Sequence, residues 1–363
     1  MKKILFAAVH MDVGGIENAL VTLLNYLVNK DYKITLVLEE KQGIFLHDLD
    51  NRINIVQYTP SKCKNILIRK GINLAKRLYF TLKYKNKFDF SASFATYSKA
   101  VASFVARTAS KNNVLWGHAD YLALYKGDKE KVKEFFREIQ YEKFKKIVFV
   151  SKKACESFIE VYPNVKDKVI FCNNLIDYKK IENLSNENVE EKKDIYTFVN
   201  VGRHDELQKK LTRILEASEK LKNDNMNFEV LFIGEGKDTE IYKIMAEKMG
   251  LQNKIKFLGV KKNPYAYMKL ADAVILSSDY EGYPVVFLEA LILNKPIITT
   301  NVADALQDIK GKYGEVIEKT TEELYKTMKR FIEYGYDIKY KFDPEEYNRD
   351  ITEKLEKLIN NKI

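Results

Sequence analysis

The sequence is poor in cysteine and lacks a long uninterrupted hydrophobic run. Its three cysteines, Cys63, Cys155 and Cys172, are odd in number and form no Cys-x-x-Cys pair. This spacing predicts neither a zinc site nor a disulfide framework, and it fits a reducing cytoplasm. No segment approaches the run of ~20 apolar residues that a membrane-spanning helix requires. Polar residues and glycines soon follow the apolar run Ile4–Val9, so this run is interpreted as a first strand and not as a signal peptide.

Acidic residues are scarce in the first half of the chain. Residues 1–175 carry 30 Lys and Arg against 17 Asp and Glu, a net charge of +13, whereas the remaining residues carry a net charge of −3. This asymmetry indicates that the first half meets an anionic surface or partner. The sequence shows no helix-turn-helix pattern, zinc-finger spacing or aromatic RNP motif, so we predict no nucleic-acid partner.

The strongest local charge imbalance falls on residues 62–87, which hold no acidic residue. The segment contains nine basic residues: Lys62, Lys64, Arg69, Lys70, Lys76, Arg77, Lys83, Lys85 and Lys87. A solvated helix face would explain them, and so would contact with anionic lipid headgroups, because apolar residues interleave with the cations. The absence of acidic residues favours the lipid contact. We therefore expect a cytoplasmic protein that is peripheral at the inner face of the membrane.

The hydrophobic pattern predicts strands that alternate with helices in both halves of the chain. In the first half, apolar runs at 3–9 and 33–38 flank a helical pattern, which is a βαβ unit. In the second half, strands are predicted at 196–201, 228–233, 255–258, 273–276 and 296–300. This alternation predicts an α/β fold with doubly wound, mainly parallel sheets.

A length of 363 residues suits two domains. We predict an N-terminal domain over 1–177 and a solvated connector over 178–194, where the sequence is almost entirely polar. A C-terminal domain is predicted over 195–340. Residues 341–363 are predicted to form a C-terminal helix that can pack back on the first domain.

Two turns at strand ends are candidate phosphate sites. Gly14 and Gly15 lie between the first strand and the first helix, where backbone N–H groups and the helix dipole suit an anion. Gly202 ends a buried strand, so Arg203 lies at the sheet edge where α/β proteins bind ligands. A tight turn and a surface basic cluster are the simpler explanations of these two patterns.

Two lysines follow Arg203 within a few residues, and they strengthen the second candidate. A guanidinium together with the ammonium of Lys209 or Lys210 can clamp a diphosphate.

Two glutamates follow the predicted strand 273–276. Glu281, Gly282 and Tyr283 occupy the loop after this strand, and Glu289 lies on the next helix with seven residues between the two glutamates. The amides of Gly282 and Tyr283 are near a helix N-terminus, where an anion is favoured. A helical glutamate usually faces solvent, but Glu289 has apolar neighbours on both sides, and burying it is costly unless it is bonded. Two such carboxylates can bind different hydroxyl groups of one polyol.

In their order and spacing these segments resemble the retaining glycosyltransferases usually numbered family 4, which have the GT-B fold. The resemblance runs nearly end to end and rests on Gly14–Glu17, Val150–Lys152, Asn173–Asp177, Val201–His204 with Lys209, Ile233–Gly236, Phe257–Gly259 and Glu281–Pro284 with Glu289. It implies two Rossmann-like domains whose parallel sheets face each other across a cleft.

The resemblance also implies roles for residues of the C-terminal domain. Arg203 and Lys209 would hold the diphosphate of a nucleotide-sugar. Lys209 lies one residue further from Arg203 than the commonest family spacing, so Lys210 is an alternative. Glu289 would bond the ribose hydroxyls, and Glu281, with the amides of Gly282 and Tyr283, would line the donor sugar.

In the N-terminal domain, the resemblance implies that Gly15 lets backbone amides approach the diphosphate. His118 matches a histidine near the reacting sugar, although an ordinary loop histidine would also fit the sequence. The sequence Asp48-Leu49-Asp50 looks like a metal-binding Asp-x-Asp motif of another fold, and coincidence is the better interpretation.

The implied reaction transfers a hexosyl residue from a nucleotide-sugar, with a UDP-sugar as the expected donor, and retains the anomeric configuration. It requires no metal and no cofactor beyond this co-substrate. The expected acceptor is a cell-envelope glycan or a lipid-linked glycan. A nucleotide-sugar epimerase of the same fold and a non-catalytic partner subunit are the alternatives.

Overall fold

The computed structural model describes residues 1–12, 14–108, 110–189 and 195–363. The chain divides into two compact units, one made of residues 1–175 and 348–363 and the other of residues 176–347. We refer to them as the N-terminal and C-terminal domains. The segment predicted as a connector, 178–194, begins with a helix that is part of the C-terminal domain, and its residues 190–194 lie outside the described residues. The predicted C-terminal helix is present, and residues 348–363 belong to the N-terminal domain.

The N-terminal domain is built on a parallel sheet of seven strands, in the order β3-β2-β1-β4-β5-β6-β7. The strands are β1 (Lys2–Ala8), β2 (Tyr32–Leu38), β3 (Asn54–Gln57), β4 (Phe90–Ser93), β5 (Asn112–Gly117), β6 (Lys146–Phe149) and β7 (Val169–Phe171). Their apolar runs are typical of strands that helices cover on both faces. Its helices are α1 (Gly15–Val28), α2 (Ile66–Tyr84), α3 (Lys99–Thr108), α4 (Tyr121–Leu124), α5 (Lys129–Glu138) and α6 (Lys152–Val161).

The C-terminal domain has a parallel sheet of six strands, in the order β10-β9-β8-β11-β12-β13. The strands are β8 (Tyr196–Val201), β9 (Phe228–Ile233), β10 (Ile255–Phe257), β11 (Ala273–Leu276), β12 (Ile297–Thr300) and β13 (Gly314–Ile317). The helices are α7 (Tyr178–Ser185), α8 (Thr212–Asn223), α9 (Thr239–Lys248), α10 (Tyr265–Leu270), α11 (Val285–Ile292), α12 (Ala305–Asp308) and α13 (Thr321–Tyr334). The last helix of the chain is α14 (Pro344–Ile359).

Both sheets are wound outward in two directions from a central strand. In each sheet, the first strand of the domain pairs in parallel with the second strand on one side and with the fourth strand on the other, as β1 does with β2 and β4. This is the strand order of the Rossmann fold. The prediction of two Rossmann-like α/β domains with parallel sheets is confirmed. Within the described residues, no helix combines the length and the apolar character needed to cross a membrane.

Candidate active site

The candidate residues of the C-terminal domain lie where its sheet reverses its winding direction. β8 and β11 are neighbours, and the chain leaves them towards opposite sides of the sheet. The loops after two such strands diverge and leave a crevice at the carboxyl edge, which is where α/β proteins bind ligands. Gly202 and Arg203 follow β8, whereas Glu281 follows β11. The topology therefore brings these two loops to one place.

A buried ion pair joins the two loops. The Nζ atom of Lys209 lies 2.6 Å from Oε1 of Glu281, and only 7% of Glu281 is exposed. The same carboxylate accepts hydrogen bonds from Oγ of Ser278 at 2.7 Å and from Nε2 of Gln208 at 3.2 Å. These charge-assisted bonds offset the cost of burying the carboxylate. The pair therefore fixes the positions of both side chains.

Lys210 points to a different carboxylate. Its Nζ atom lies 3.0 Å from Oε1 of Glu206, and its backbone has a positive φ of 54°. The two neighbouring lysines therefore have separate partners, and Lys209 is the one that contacts Glu281.

Arg203 is exposed, unlike the buried pair beside it. Within the part of the chain that the structure describes, its guanidinium makes no hydrogen bond and no ion pair. Burial raises the pKa of Tyr280, and the charge of Arg203 acts in the opposite direction, so Arg203 lies close enough to influence the loop after β11. Such a guanidinium at the carboxyl edge of a sheet can donate two parallel hydrogen bonds to the oxygens of an anion such as a phosphate.

Two glycines of the loop after β9 fix the backbone that carries Arg203. A Cβ atom on Gly234 would lie 2.0 Å from the carbonyl oxygen of Gly202, and Gly234 has a φ of 134°. A Cβ atom on Gly236 would lie 2.2 Å from the carbonyl oxygen of His204. Only glycine permits this approach of two backbones. The sequence shows both glycines in Ile233–Gly236, but their role in positioning Arg203 was not predicted.

Glu289 lies on α11 with its carboxyl group buried. The hydroxyl group of Tyr265 donates a hydrogen bond of 3.2 Å to Oε1 of Glu289. Burial raises the pKa of Glu289 from 4.5 to about 7, while the hydrogen bond from Tyr265 acts in the opposite direction. The apolar neighbours seen in the sequence explain this burial. The carboxyl group can therefore exist in either protonation state near neutral pH.

Gly282 and Tyr283 precede the N-terminus of α11 and are buried. The hydroxyl group of Tyr283 donates a hydrogen bond of 3.1 Å to Oδ2 of Asp308, and its ring packs edge-to-face on Phe287. These contacts fix the loop through the side chain of Tyr283, so the roles expected of Gly282 and Tyr283 depend on their backbone amides.

In the N-terminal domain, a carboxylate of the protein lies beside the glycine turn. Gly14 is the N-cap of α1, and a Cβ atom on Gly14 would lie 2.1 Å from Oε2 of Glu17. Glu17 is buried, and the hydroxyl group of Tyr97 is 3.5 Å from its Oε1. A negative charge at this position complements the helix dipole. Glu17 therefore lies where the sequence predicts a bound phosphate, next to the exposed Gly15.

His118 follows β5 at the carboxyl edge of the N-terminal sheet. Its ring centroid lies 4.4 Å from that of Phe94, and its buried Nε2 atom has no hydrogen-bond partner among the described residues. Desolvation lowers the pKa of His118 from 6.5 to about 3, against the opposing effect of a hydrogen bond to the backbone of Phe94. The imidazole is therefore neutral at physiological pH, and one of its nitrogen atoms can bond to a ligand.

The Asp-x-Asp sequence is engaged in contacts of its own loop. Asp50 accepts hydrogen bonds from Nε of Arg52 at 2.9 Å and from its NH2 group at 2.7 Å. These bonds lower the pKa of Asp50 from 3.8 to about 2. Over the residues that the structure describes, His, Cys, Asp and Glu form no group of three or more that could hold a metal ion.

The C-terminal half of the chain is similar to a known protein family. Residues 179–350 match the family described as glycosyl transferases group 1. An uncharacterized glycosyltransferase of Methanocaldococcus jannaschii is 29% identical over 175 residues, which are 47% of this chain and 43% of that protein. The chain spans about half the length of the first curated relatives it matches, with 43%, 50% and 54% of their lengths covered.

Other similarities extend over most of the chain. A Campylobacter jejuni α-1,4-N-acetyl-D-galactosaminyltransferase, which is named for an undecaprenol-diphosphate-linked glycan, is 23% identical over 85% of this chain and 82% of its own. The structure of Anabaena HepE in complex with UDP-glucose superposes with a TM-score of 0.77 and 16% identity, over 98% of this chain and all of the other. At this identity the superposition establishes the fold.

Proposed function

We propose that this protein, whose residues 179–350 match the family described as glycosyl transferases group 1, is a retaining glycosyltransferase that moves a hexosyl residue from a UDP-sugar. The observation that carries the proposal is the arrangement at the switch point of the C-terminal sheet. There the exposed Arg203, which has no hydrogen-bond or ion-pair partner among the described residues, lies near the buried pair of Lys209 and Glu281. A cation free to bind phosphate, beside carboxylates that can bind hydroxyl groups, suits a nucleotide-sugar.

In this proposal the diphosphate is bound by Arg203 and Lys209. Lys209 is favoured over Lys210 because its ammonium is held in the loop crevice by Glu281, whereas Lys210 is paired with Glu206. Glu281 lines the donor sugar, together with the amides of Gly282 and Tyr283. Glu289 accepts hydrogen bonds from the ribose hydroxyl groups, which would stabilise its ionised form.

The proposed reaction is a front-face substitution. The acceptor hydroxyl oxygen bonds to the anomeric carbon of the donor as the bond from that carbon to the diphosphate breaks. The proton of the acceptor moves to the departing diphosphate oxygen. The positive charges of Arg203 and Lys209 stabilise the negative charge that grows there, so no metal ion is required.

The N-terminal domain is proposed to present the acceptor. His118 is neutral, and its Nε2 atom could bond to a sugar hydroxyl near the reacting centre. At the turn of Gly14 and Gly15, a diphosphate would meet the carboxylate of Glu17, so binding there would require that side chain to move.

The proposed acceptor is a cell-envelope glycan or a lipid-linked glycan, and the proposed location is the inner face of the cell membrane. Two relatives support this part. CapH of Staphylococcus aureus is named for capsular polysaccharide biosynthesis, and the Campylobacter jejuni enzyme is named for an undecaprenol-linked glycan.

The test is a donor screen in EDTA. Purified protein is incubated with a panel of nucleotide-sugars, with and without membrane lipid extract, and nucleoside diphosphate release is measured. We expect slow release from one donor, faster release with extract, and loss of both in Glu289→Ala. Glu240→Ala, which removes an exposed helical glutamate, is the control and should match wild type. Absence of release and of donor binding, with and without extract, would overturn the proposal in favour of a non-catalytic partner.

A further inference from the structure

Helix α2 is almost completely exposed, although it is rich in apolar residues. Of its 19 residues, only Tyr84 is buried. Leu67 and Leu82 are 80% and 79% exposed. Six further large apolar side chains of α2 are exposed: Ile66, Ile68, Ile72, Leu74, Leu78 and Tyr79. Soluble proteins rarely present so many neighbouring apolar side chains to water unless the patch is a binding surface.

One face of α2 packs on the N-terminal domain through aromatic residues. The ring of Phe80 lies 4.9 Å from that of Tyr58 and 5.9 Å from that of Phe104, measured between centroids. One turn later, the ring of Tyr84 lies 6.2 Å from that of Phe104. Two turns before Phe80 and on the same side, Oδ1 of Asn73 accepts a hydrogen bond from the backbone of Ser61. These contacts fix the orientation of the helix.

The opposite face of α2 is wholly apolar. A helix advances by about 100° per residue, so the positions opposite Asn73, Phe80 and Tyr84 follow directly from their spacing. They are Leu67, Ile68, Gly71, Ile72, Leu74, Ala75, Leu78, Tyr79 and Leu82. No charged residue interrupts this face, which we call the outer face of α2.

Basic residues border the outer face on both sides. Arg69 and Lys83 lie along one border, whereas Lys70 and Arg77 lie along the other. All four are exposed, and none forms an ion pair with an acidic residue in the described parts of the chain. The segment 62–87 contributes no acidic residue that could neutralise them.

We propose that α2 is an interfacial helix that binds an anionic lipid bilayer with its outer face. Apolar side chains pointing away from the protein, bordered by cations, are the arrangement by which a helix lies in the plane of a membrane surface. The leucines enter the acyl boundary, and the lysines and arginines remain at the level of the headgroups. Each cation near an anionic surface adds to the attraction.

The charge pattern favours an anionic bilayer over a second copy of the chain as the binding partner of the outer face. Two outer faces packed together would bring four uncompensated cations of one copy against four of the other, which opposes association. An anionic bilayer supplies both the apolar phase and the opposite charge. The proposal uses no residue of the nucleotide site, so it goes beyond the proposed transferase activity and does not depend on it.

The experiment is co-sedimentation of the full chain with vesicles of phosphatidylcholine alone or mixed with phosphatidylglycerol, at low and high salt. Wild type is expected to bind the phosphatidylglycerol vesicles, to release at high salt, and to leave phosphatidylcholine vesicles largely unbound. The triple variant Leu67→Gln, Leu78→Gln, Leu82→Gln should bind on the order of a hundredfold more weakly. Ile241→Gln with Ile244→Gln, which changes exposed apolar residues of α9, is the control and should bind as wild type does.

Two further variants measure lipid binding separately from any effect of the triple variant on folding. Lys70→Glu with Arg77→Glu should weaken binding by about tenfold or more while the thermal unfolding midpoint is retained, because both side chains are exposed. In Leu78→Trp, tryptophan fluorescence should shift to the blue with phosphatidylglycerol vesicles. The only native tryptophan, Trp116, is buried and gives the background signal of wild type. Absence of binding by wild type would overturn the proposal, as would a dimer in sedimentation equilibrium that the triple variant abolishes.

Discussion

Lys209 and Glu281 are 72 positions apart in the sequence, yet their side chains form a 2.6 Å ion pair. The pair connects the loop after β8 to the loop after β11, and it is largely shielded from water, with 18% and 8% of the two side chains exposed. Removing one partner of such a buried ion pair costs more stability than the intact pair contributes, because the removal leaves an unpaired buried charge. It therefore makes the two loops of the proposed donor site depend on each other.

Removing the lysine alone should reduce stability. Lys209→Met leaves the buried carboxylate of Glu281 without its cation, and we expect a loss of about 3 kcal/mol in the free energy of unfolding. The double variant Lys209→Met, Glu281→Gln should recover most of this loss because no buried charge remains. Urea denaturation of the four proteins of this cycle measures the coupling. Donor hydrolysis should be absent in the double variant even though its stability is recovered. Losses of stability that add up in the double variant would contradict the coupling of Lys209 and Glu281.

Glu289 should make stability depend on pH. Its pKa is raised from 4.5 to about 7 in the folded protein, so between these values the unfolded chain has released a proton that the folded protein keeps. The free energy of unfolding should therefore fall as pH rises from about 4.5 to 7, by roughly 3 kcal/mol over this window. Glu289→Gln should remove this part of the slope. Denaturation curves across the window test the prediction, and equal slopes in both proteins would contradict it.

The same group should make donor binding depend on pH. If ribose hydroxyl groups donate to the carboxylate of Glu289, binding favours the ionised form, and affinity for the donor found in the screen should rise towards pH 7 and then level off. Below pH 7 the rise should approach tenfold per pH unit. Glu289→Gln should bind weakly at every pH. The nucleotide-sugar is a better probe than a free nucleoside diphosphate, whose terminal phosphate titrates near pH 6.

Gly234 should be required for the position of Arg203. Gly234→Ala would place a methyl group 2.0 Å from the backbone of Gly202, and its φ of 134° is unsuited to other residues. We expect loss of donor hydrolysis by at least tenfold together with a lower thermal midpoint. Gly335→Ala is the matched control, since Gly335 also has a positive φ, of 67°, but has open space around it. It should cost only about 1 kcal/mol of stability and leave hydrolysis intact.

The sheet of the C-terminal domain was predictable because its strands are short apolar runs. The predicted strands 196–201, 228–233 and 273–276 have the observed bounds. In the N-terminal domain, β4 (Phe90–Ser93) was not predicted, because two of its four residues are serines. Both serines are buried, and Oγ of Ser91 is 2.6 Å from Oγ of Ser110. A polar side chain satisfied by a distant residue gives no hydrophobic signal in the sequence.

For the candidate site, the sequence allowed predictions about individual residues but not about which residues contact each other. The apolar neighbours of Glu289 indicated that it is buried, and the structure shows this. Which lysine meets Glu281 depends on the tertiary structure, in which Lys209 pairs with Glu281 and Lys210 with Glu206, and no sequence pattern signalled this choice. The position of Glu17 over the turn at Gly14 was also not predicted, since it results from tertiary contacts such as that with Tyr97.

The central claim is that the switch point of the C-terminal sheet binds the diphosphate of a nucleotide-sugar through Arg203. Its most direct test is calorimetric titration of wild type and Arg203→Ala with UDP in EDTA, with Lys220→Ala as a control that removes an exposed cation of α8. Wild type and the control should bind UDP equally. Arg203→Ala should bind about 10- to 100-fold more weakly, as expected for the loss of charge-assisted hydrogen bonds, with an unchanged thermal midpoint. Equal affinity of Arg203→Ala and wild type, or no UDP binding by any of the three, would contradict the account.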